Sequence, residues 1–118
     1  MRMRLAIPSL LLIALATGAA YAHAVLDHAT PVAGSTVATA PREIALTFTQ
    51  NLEPAFSTVQ VTDANGARVD QGKPQISGNT MRIGLKPLTP GPYQVHWHAL
   101  SVDTHKTEGN FSFTVGGS

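Results

Sequence analysis

Beyond the first 22 residues, apolar and polar positions alternate with a period of two, and no segment keeps the period of a helix. The alternating segments are short and end at Gly, Pro or Asn, as strands do. The clearest follows Pro90, where one face carries the apolar residues Tyr93, Val95, Trp97 and Ala99. Further apolar sets of this kind are Ile44, Leu46 and Phe48; Val59 and Val61; Met81, Ile83 and Leu85; and Phe111, Phe113 and Val115. The pattern predicts an all-β protein.

The spacing of these segments predicts the architecture. Short strands separated by turn residues are typical of a small antiparallel Greek-key β-barrel or sandwich, immunoglobulin-like, with about seven strands. Trp97, on a central segment, is predicted to fill the core between two sheets. The run from Asp63 to Gly66 contains Asn-Gly and predicts a tight turn. Segments 30–41 and 71–79 are rich in small and turn-forming residues, and we expect both to be surface connections.

The first 22 residues have the composition of a secretory signal peptide. Arg2 and Arg4 precede an apolar run at positions 5–16, and small residues stand before a cleavage site after Ala22. We therefore expect residues 1–22 to be removed on export, leaving 23–118 as one domain that begins with His23. Cleavage after Ala20 satisfies the same rule and would leave Tyr21 first instead.

Composition narrows the partners and ligands of the exported chain. Loss of the two leader arginines leaves six basic against seven acidic residues, a net charge of −1, which does not suit binding to nucleic acid or anionic lipid. The chain has no cysteine, and Met81 is its only methionine outside the leader. A bound metal would therefore be held mainly by nitrogen and oxygen donors.

Five histidines suggest metal binding: His23, His28, His96, His98 and His105. A first residue His23 would offer its α-amine and its imidazole Nδ1 to one ion, and such chelation reduces the entropy lost on collecting ligands. Nitrogen and oxygen donors in a tetragonal arrangement favour Cu(II), which also heads the divalent affinity order, with zinc as the main competitor.

Asp103 and His105 could supply the other half of such a site. They stand two residues apart in a polar segment, and in extended backbone that spacing places both side chains on one face. The alternative is that Asp103 caps a turn through its own backbone while His105 is merely solvated.

The segment from Trp97 to Gly109 resembles the signature of the CopC-type periplasmic copper-binding family, Trp-x-Ala-x-Ser-x-Asp-x-His-x-x-x-Gly. The matching residues are Trp97, Ala99, Ser101, Asp103, His105 and Gly109, supported by Thr30-Pro31, Leu46-x-Phe48, Asn51-Leu52 and Pro90-Gly91-x-Tyr93. The resemblance implies a small Greek-key β-barrel that binds one Cu(II) per chain through His23 (amine and Nδ1), Asp103 and His105. It also suggests a CopD-type inner-membrane transporter as partner.

Some positions depart from the family pattern. The methionine-rich loop that forms a Cu(I) site in some members is replaced by residues 63–67 without methionine, so we expect the Cu(II) site alone. Gln50 stands where the family commonly has a glutamate that supports the copper amine. His96 and His98 stand where it more often has Asp and Arg. They are expected to be two half-exposed histidines, with a second, weaker Cu(II) or Zn(II) site, including His28, as the alternative.

These observations favour a protein that carries or buffers copper in copper homeostasis and resistance. We expect it to be a monomer without catalytic turnover or a small-molecule substrate. Four protein donors leave little room for a substrate, whereas catalytic metal sites usually keep an open position. Two alternatives remain at this stage. One is a copper-brace oxidative enzyme, and the other is a metal-free immunoglobulin-like interaction domain, since one fold can host many functions.

Overall fold

A computed structural model describes residues 24–117. In this part of the chain it contains eight strands and one short 3-10 turn, Pro54–Phe56. The strands are β1 (Leu26–Thr30), β2 (Thr36–Val37), β3 (Glu43–Phe48), β4 (Thr58–Thr62), β5 (Asp70–Ser77), β6 (Thr80–Leu85), β7 (Gly91–Leu100) and β8 (Lys106–Val115). No helix within 24–117 has the length and apolar character needed to cross a membrane.

The strands form two four-stranded sheets, in the orders β1-β3-β6-β5 and β2-β8-β7-β4. Neighbouring strands are antiparallel, except that the two-residue β2 runs parallel to β8. The prediction of an all-β sandwich of about seven strands is confirmed, with eight strands in the described region.

The core lies between the two sheets and consists of the apolar faces that the alternation predicts. The buried residues on β3, β4, β6, β7 and β8 are Ile44, Leu46, Phe48, Val59, Val61, Met81, Ile83, Leu85, Tyr93, Val95, Trp97, Ala99, Phe113 and Val115, with Phe111 partly buried against them. Trp97 sits in the middle as predicted, its ring meeting that of Phe48 edge-on with centroids 5.0 Å apart. Such a contact adds about 0.5–1.5 kcal/mol to what burial alone contributes.

The expectation that 71–79 is a surface connection is wrong, because most of that segment belongs to β5. Within residues 24–117 this strand lies at the sheet edge and pairs with β6 alone. Its register shifts between Gln71 and Gln75, and most of its side chains are exposed. An edge strand tolerates Pro74 and buries few apolar groups, so it lacks the alternation that identifies a half-buried strand. Segment 30–41 likewise contains β2 at Thr36–Val37.

The β7–β8 hairpin is the longest regular element of the fold. Ten consecutive residue pairs run from Gly91 opposite Val115 to Leu100 opposite Lys106, without a bulge. Residues 101–105 join the two strands. A long, continuously paired hairpin holds both its connecting loop and its outward-facing side chains in a defined geometry.

Candidate metal centre

The loop from Ser101 to His105 is a tight turn. The Ser101 N–H donates to the carbonyl of His105 (3.0 Å), and the Thr104 N–H donates to the carbonyl of Ser101 (2.8 Å). Thr104 is left-handed, with φ 74°, which is unusual for a β-branched residue. Asp103 and His105 are therefore brought together by a reversal of the chain. The expectation that extended backbone does this is wrong, because the hairpin must turn here.

The Asp103 carboxylate has two oxygens in different surroundings. Oδ1 accepts a short hydrogen bond from the Ser101 hydroxyl, lies 3.4 Å from the His105 N–H, and is 3.3 Å from the His105 Nδ1. Oδ2 is buried, and no hydrogen-bond partner for it exists among the described residues. Asp103 thus caps the turn with one oxygen, while the other is a desolvated acceptor with no partner in that part of the chain.

The charge state of Asp103 follows from these contacts. The hydrogen bond from the Ser101 hydroxyl, together with smaller contributions from His105, holds the pKa of the Asp103 carboxyl below its ordinary value. Partial burial acts in the opposite direction without prevailing. The group is therefore an ionised carboxylate at neutral pH. A buried acceptor without a partner is unfavourable, and a cation bound at Oδ2 would remove that penalty.

The first described residues lie against this loop. Ala24 is fully buried, and its carbonyl accepts a hydrogen bond from the Thr107 hydroxyl (2.7 Å), two residues past His105. Val25 exchanges two hydrogen bonds with Thr49, at 3.0 and 2.9 Å. The predicted ligand His23 and the predicted signal peptide lie outside the described residues.

Gln50, the predicted neighbour of the copper amine, belongs to the segment that links the chain start to the loop. On one side of it, Thr49 pairs with Val25; on the other, the Asn51 carbonyl accepts from the Val102 N–H at 3.0 Å. Gln50 itself is half-buried. Its position is consistent with a role beside the predicted centre.

The remaining histidines lie apart from the loop. His28 is exposed on β1, in the other sheet, with its Nδ1 3.2 Å from Asp27. His96 and His98 lie on the outward face of β7, with their Nε2 atoms 3.0 Å apart. The structure therefore brings His96 and His98 together and leaves His28 elsewhere.

Glu108 is a residue that the sequence analysis missed. It pairs directly with His98 across the hairpin, and its Oε1 lies 3.6 Å from His96 Nε2 and 3.5 Å from His98 Nδ1. One donor atom from each of these three residues lies within 4.8 Å of the others. The signal that could have found Glu108 is the hairpin register, which follows once the loop is known to span only 101–105.

Comparison with known proteins identifies the family. The CopC domain model matches residues 26–116. Among curated relatives, the chain is 34% identical to protein YobA of Escherichia coli K12 over 91% of this chain and 90% of that one. It is also 34% identical to copper resistance protein C of Xanthomonas campestris pv. juglandis, over 86% of both chains.

Two further matches are informative about context. The chain is 31% identical to copper transport protein CutJ of Bacillus subtilis over 81% of its own length, but spans only 18% of that protein. The crystal structure of PcoC, a methionine-rich copper resistance protein from Escherichia coli, superimposes with a TM-score of 0.71 at 37% identity, covering 80% of this chain and 99% of that one. The resemblance carried by the Trp97–Gly109 motif is thus confirmed across the described domain, and the chain belongs to the CopC family.

Proposed function

We propose that this protein is a periplasmic Cu(II)-binding protein that carries or buffers one copper ion per chain in copper homeostasis and resistance. The observation that carries the proposal is the Asp103 carboxylate, ionised, with Oδ2 buried and without a hydrogen-bond donor among the described residues, beside His105. A carboxylate oxygen and an imidazole nitrogen held in one short loop are two donors suited to Cu(II).

The proposed ligands are His23, through its amine and Nδ1, together with Asp103 and His105. Ala24 is anchored to Thr107, and a peptide bond fixes the Cα of position 23 about 3.8 Å from that of Ala24. This constraint supports a contribution from the chain start to a site at the 101–105 loop. Gln50 would support the amine as a hydrogen-bond acceptor, more weakly than a carboxylate because the amide carries no charge.

Maturation is part of the proposal. If residues 1–22 are a signal peptide and 23–118 the exported domain, cleavage after Ala22 creates the α-amine that binds copper. An uncleaved chain has an amide nitrogen at that position, which is not a comparable donor. Export to the periplasm and formation of the copper ligand would then be the same event.

A carrier role suits the proposed donor set better than catalysis. Four equatorial donors from the protein leave no equatorial position for a substrate. The names of the relatives point to copper resistance and copper transport, and CutJ contains a region like this chain within a much larger transport protein. We infer that the exported monomer passes copper to a CopD-type inner-membrane transporter.

The test is to titrate a chain that begins at His23 with Cu(II). Binding is measured by calorimetry and by electron paramagnetic resonance. One tightly bound ion per chain with nitrogen hyperfine structure is expected. A chain whose His23 α-amine is blocked by acetylation loses the amine chelate, and its affinity should fall by on the order of 100-fold.

Two histidine variants complete this experiment. His105→Ala should remove the tight site, whereas His28→Ala, an exposed histidine beside Asp27 on the other sheet, should leave it unchanged. Undiminished tight binding in His105→Ala, or in the acetylated chain, would overturn the proposed ligand set.

A further inference from the structure

The outward face of the β7–β8 hairpin carries a compact group of four polar side chains. His96 and His98 are alternate residues on β7, and Asn110 and Glu108 are their direct partners on β8. Directly paired residues on neighbouring strands have Cβ atoms about 4.5–5.5 Å apart, and the regular register holds all four in place. We propose that His96, His98 and Glu108 form a second site for a divalent metal ion, separate from the one proposed at the 101–105 loop.

The distances in this group are close to those of ligands around one ion, and one donor atom from each residue lies within 4.8 Å of the others. The two Nε2 atoms are 3.0 Å apart, and Glu108 Oε1 is 3.6 Å from the Nε2 of His96. With metal–ligand bonds of about 2.0–2.1 Å, neighbouring donors in square or tetrahedral geometry lie about 2.8–3.4 Å apart. Small side-chain rotations therefore bring the three donors onto an ion without moving the backbone.

Asn110 prepares His96 for metal binding. Its Oδ1 faces the Nδ1 of His96 at hydrogen-bonding distance, so that nitrogen carries the proton and donates it. The Nε2 of His96 is then unprotonated and faces His98 and Glu108. A ligating histidine commonly donates its other ring N–H to an oxygen in this way, which fixes the tautomer and the ring orientation.

The Glu108 carboxylate completes the donor set and supplies its negative charge. Its Oε1 lies 3.5 Å from the Nδ1 of His98 and 3.6 Å from the Nε2 of His96. Imidazole nitrogens together with one carboxylate oxygen form a donor set that divalent ions such as Cu(II) and Zn(II) bind.

The group is accessible to ions and keeps a coordination position open. The side chains of His96, His98 and Glu108 are 32%, 51% and 63% exposed. Three protein donors leave a fourth position for water or for a ligand from another molecule. Imidazole donors suit Cu(II) and Zn(II), and the affinity order favours Cu(II). Without a chelating amine, this site should bind more weakly than the proposed loop site.

The two proposed sites share one hairpin. Glu108 follows His105 by three residues, so at about 3.4 Å per residue the donor groups begin about 10 Å apart along β8. A weaker, open site at that distance is a position where an ion can be held before transfer to, or after release from, the loop. The metal-binding inference itself does not depend on the loop site.

The experiment uses a chain that begins at position 23 and carries His23→Ala and His105→Ala, so that the loop site keeps neither of its imidazole donors, and titrates it separately with Cu(II) and with Zn(II). We expect one ion bound per chain, with Cu(II) tighter. Adding His96→Gln and His98→Gln to this background should abolish that binding. Asn110→Ala should weaken it by about 10–100-fold, the usual effect of removing a partner that orients a ligand.

A matched control and a site-specific readout complete the test. His28→Gln, which alters an exposed histidine also paired with an acidic residue, should not change the titration. On addition of Zn(II), the imidazole resonances of His96 and His98 should shift in nuclear magnetic resonance spectra while those of His28 stay constant. Because the three ligands are exposed, thermal unfolding should be nearly unaffected by the glutamine substitutions.

Three results would overturn the inference. The parent chain with His23→Ala and His105→Ala could bind neither ion. The variant with His96→Gln and His98→Gln could bind as well as that parent. His28→Gln could reduce binding as much as that pair of substitutions does, which would show unspecific surface association. None of these outcomes resembles a failure of the proposed copper centre, since that failure would appear as unchanged tight Cu(II) binding in the His105→Ala chain with His96 and His98 intact.

Discussion

Two turns of this protein are organised around an aspartate, and they differ in whether the second carboxylate oxygen has a hydrogen-bond partner or access to solvent. In the turn at 63–67, Asp63 Oδ1 accepts from the N–H groups of Asn65 (2.9 Å) and Ala67 (3.0 Å). In the loop at 101–105, Oδ1 of Asp103 has the same kind of local partners, but Oδ2 is buried with none in the described part of the chain. Asp63 has no buried carboxylate oxygen that lacks a hydrogen-bond partner.

The difference arises from the surroundings of each turn. The 63–67 turn projects into solvent, where water can satisfy any remaining acceptor. The 101–105 loop packs against other segments, since Val102 bonds to Asn51 and Thr107 bonds to Ala24. The same side chain–backbone chemistry therefore closes a turn in one place and, in the other, leaves a desolvated charged oxygen that favours a cation.

The largest expected effect comes from removing the charge of each aspartate in turn. Asp103→Asn retains an Oδ1 acceptor for the turn but loses the anionic donor, so Cu(II) affinity should fall by on the order of 100-fold. Asp63→Asn should leave affinity within about twofold, since it lies far from the proposed centre. Competition titrations against a copper chelator of known affinity measure both. Equal affinities in the two variants would remove the functional distinction between the turns.

Two glycines allow the packing of the hairpin that carries the 101–105 loop to be compared with the backbone strain in the 63–67 turn. A Cβ at Gly109 would lie 2.7 and 2.9 Å from ring carbons of Trp97, which is buried and cannot yield, so Gly109→Ala should destabilise by about 1–3 kcal/mol. Gly66, in the 63–67 turn, has φ 83° and open space around it, so Gly66→Ala should cost about 1 kcal/mol from backbone strain alone. Denaturant unfolding of both variants gives the comparison.

The glycine pair also separates stability from copper binding. Cu(II) affinity should decrease in Gly109→Ala, whose strand leads from the loop, and should not change in Gly66→Ala. Equal stability losses would show that Trp97 relaxes, and would weaken the argument that the loop rests on a rigid hairpin.

Acidification distinguishes the nitrogen donors from the carboxylate. Alpha-amines ordinarily have a pKa of about 7.7–8.0, and imidazoles have one of about 6.5. Each proton that the metal displaces weakens binding by about tenfold per pH unit below that pKa. The lowered pKa of Asp103 keeps that carboxylate ionised throughout the mildly acidic range. Cu(II) affinity should thus fall about tenfold or more from pH 7 to pH 6, with the same slope in Asp103→Asn. A flat profile would contradict amine coordination.

The smallest effect concerns the ion pair that follows the 63–67 turn. Burial opposes ionisation of Asp70, but hydrogen bonds from Arg68 and from the Val61 N–H outweigh it and lower the pKa of Asp70. A lowered pKa stabilises the fold above the unfolded-state value, and this stability is lost as pH falls through the folded-state value. Asp70→Asn should therefore destabilise by about 1 kcal/mol at pH 7 and less in acid.

Chemical unfolding of wild type and Asp70→Asn at neutral and acidic pH measures that change. Cu(II) affinity should be unaffected, since Asp70 begins β5, next to the turn that lacks the proposed ligands. A stability difference that grows in acid would contradict the sign of the pKa shift.

Most of the fold was predictable from the sequence because the period-two alternation records which side of each strand is buried. Val95, Trp97 and Ala99 show this clearly, each buried between polar neighbours. The edge strand β5 was not predicted, since backbone pairing with β6 stabilises it and leaves little trace in the order of apolar residues. The sequence also placed Asp103 and His105 in one candidate site and left the turn-capping alternative open.

The sequence by itself determined the all-β class, the identity of the core and the nitrogen and oxygen donors available to a metal. Tertiary structure alone decided two matters. The folded loop buried Oδ2 of Asp103 while Oδ1 accepted the Ser101 hydroxyl, so this residue caps the turn and keeps one acceptor without a partner among the described residues. The register of β7 and β8 placed Glu108 opposite His98, ten positions away in the chain. Both depend on contacts between distant segments, which local residue patterns do not encode.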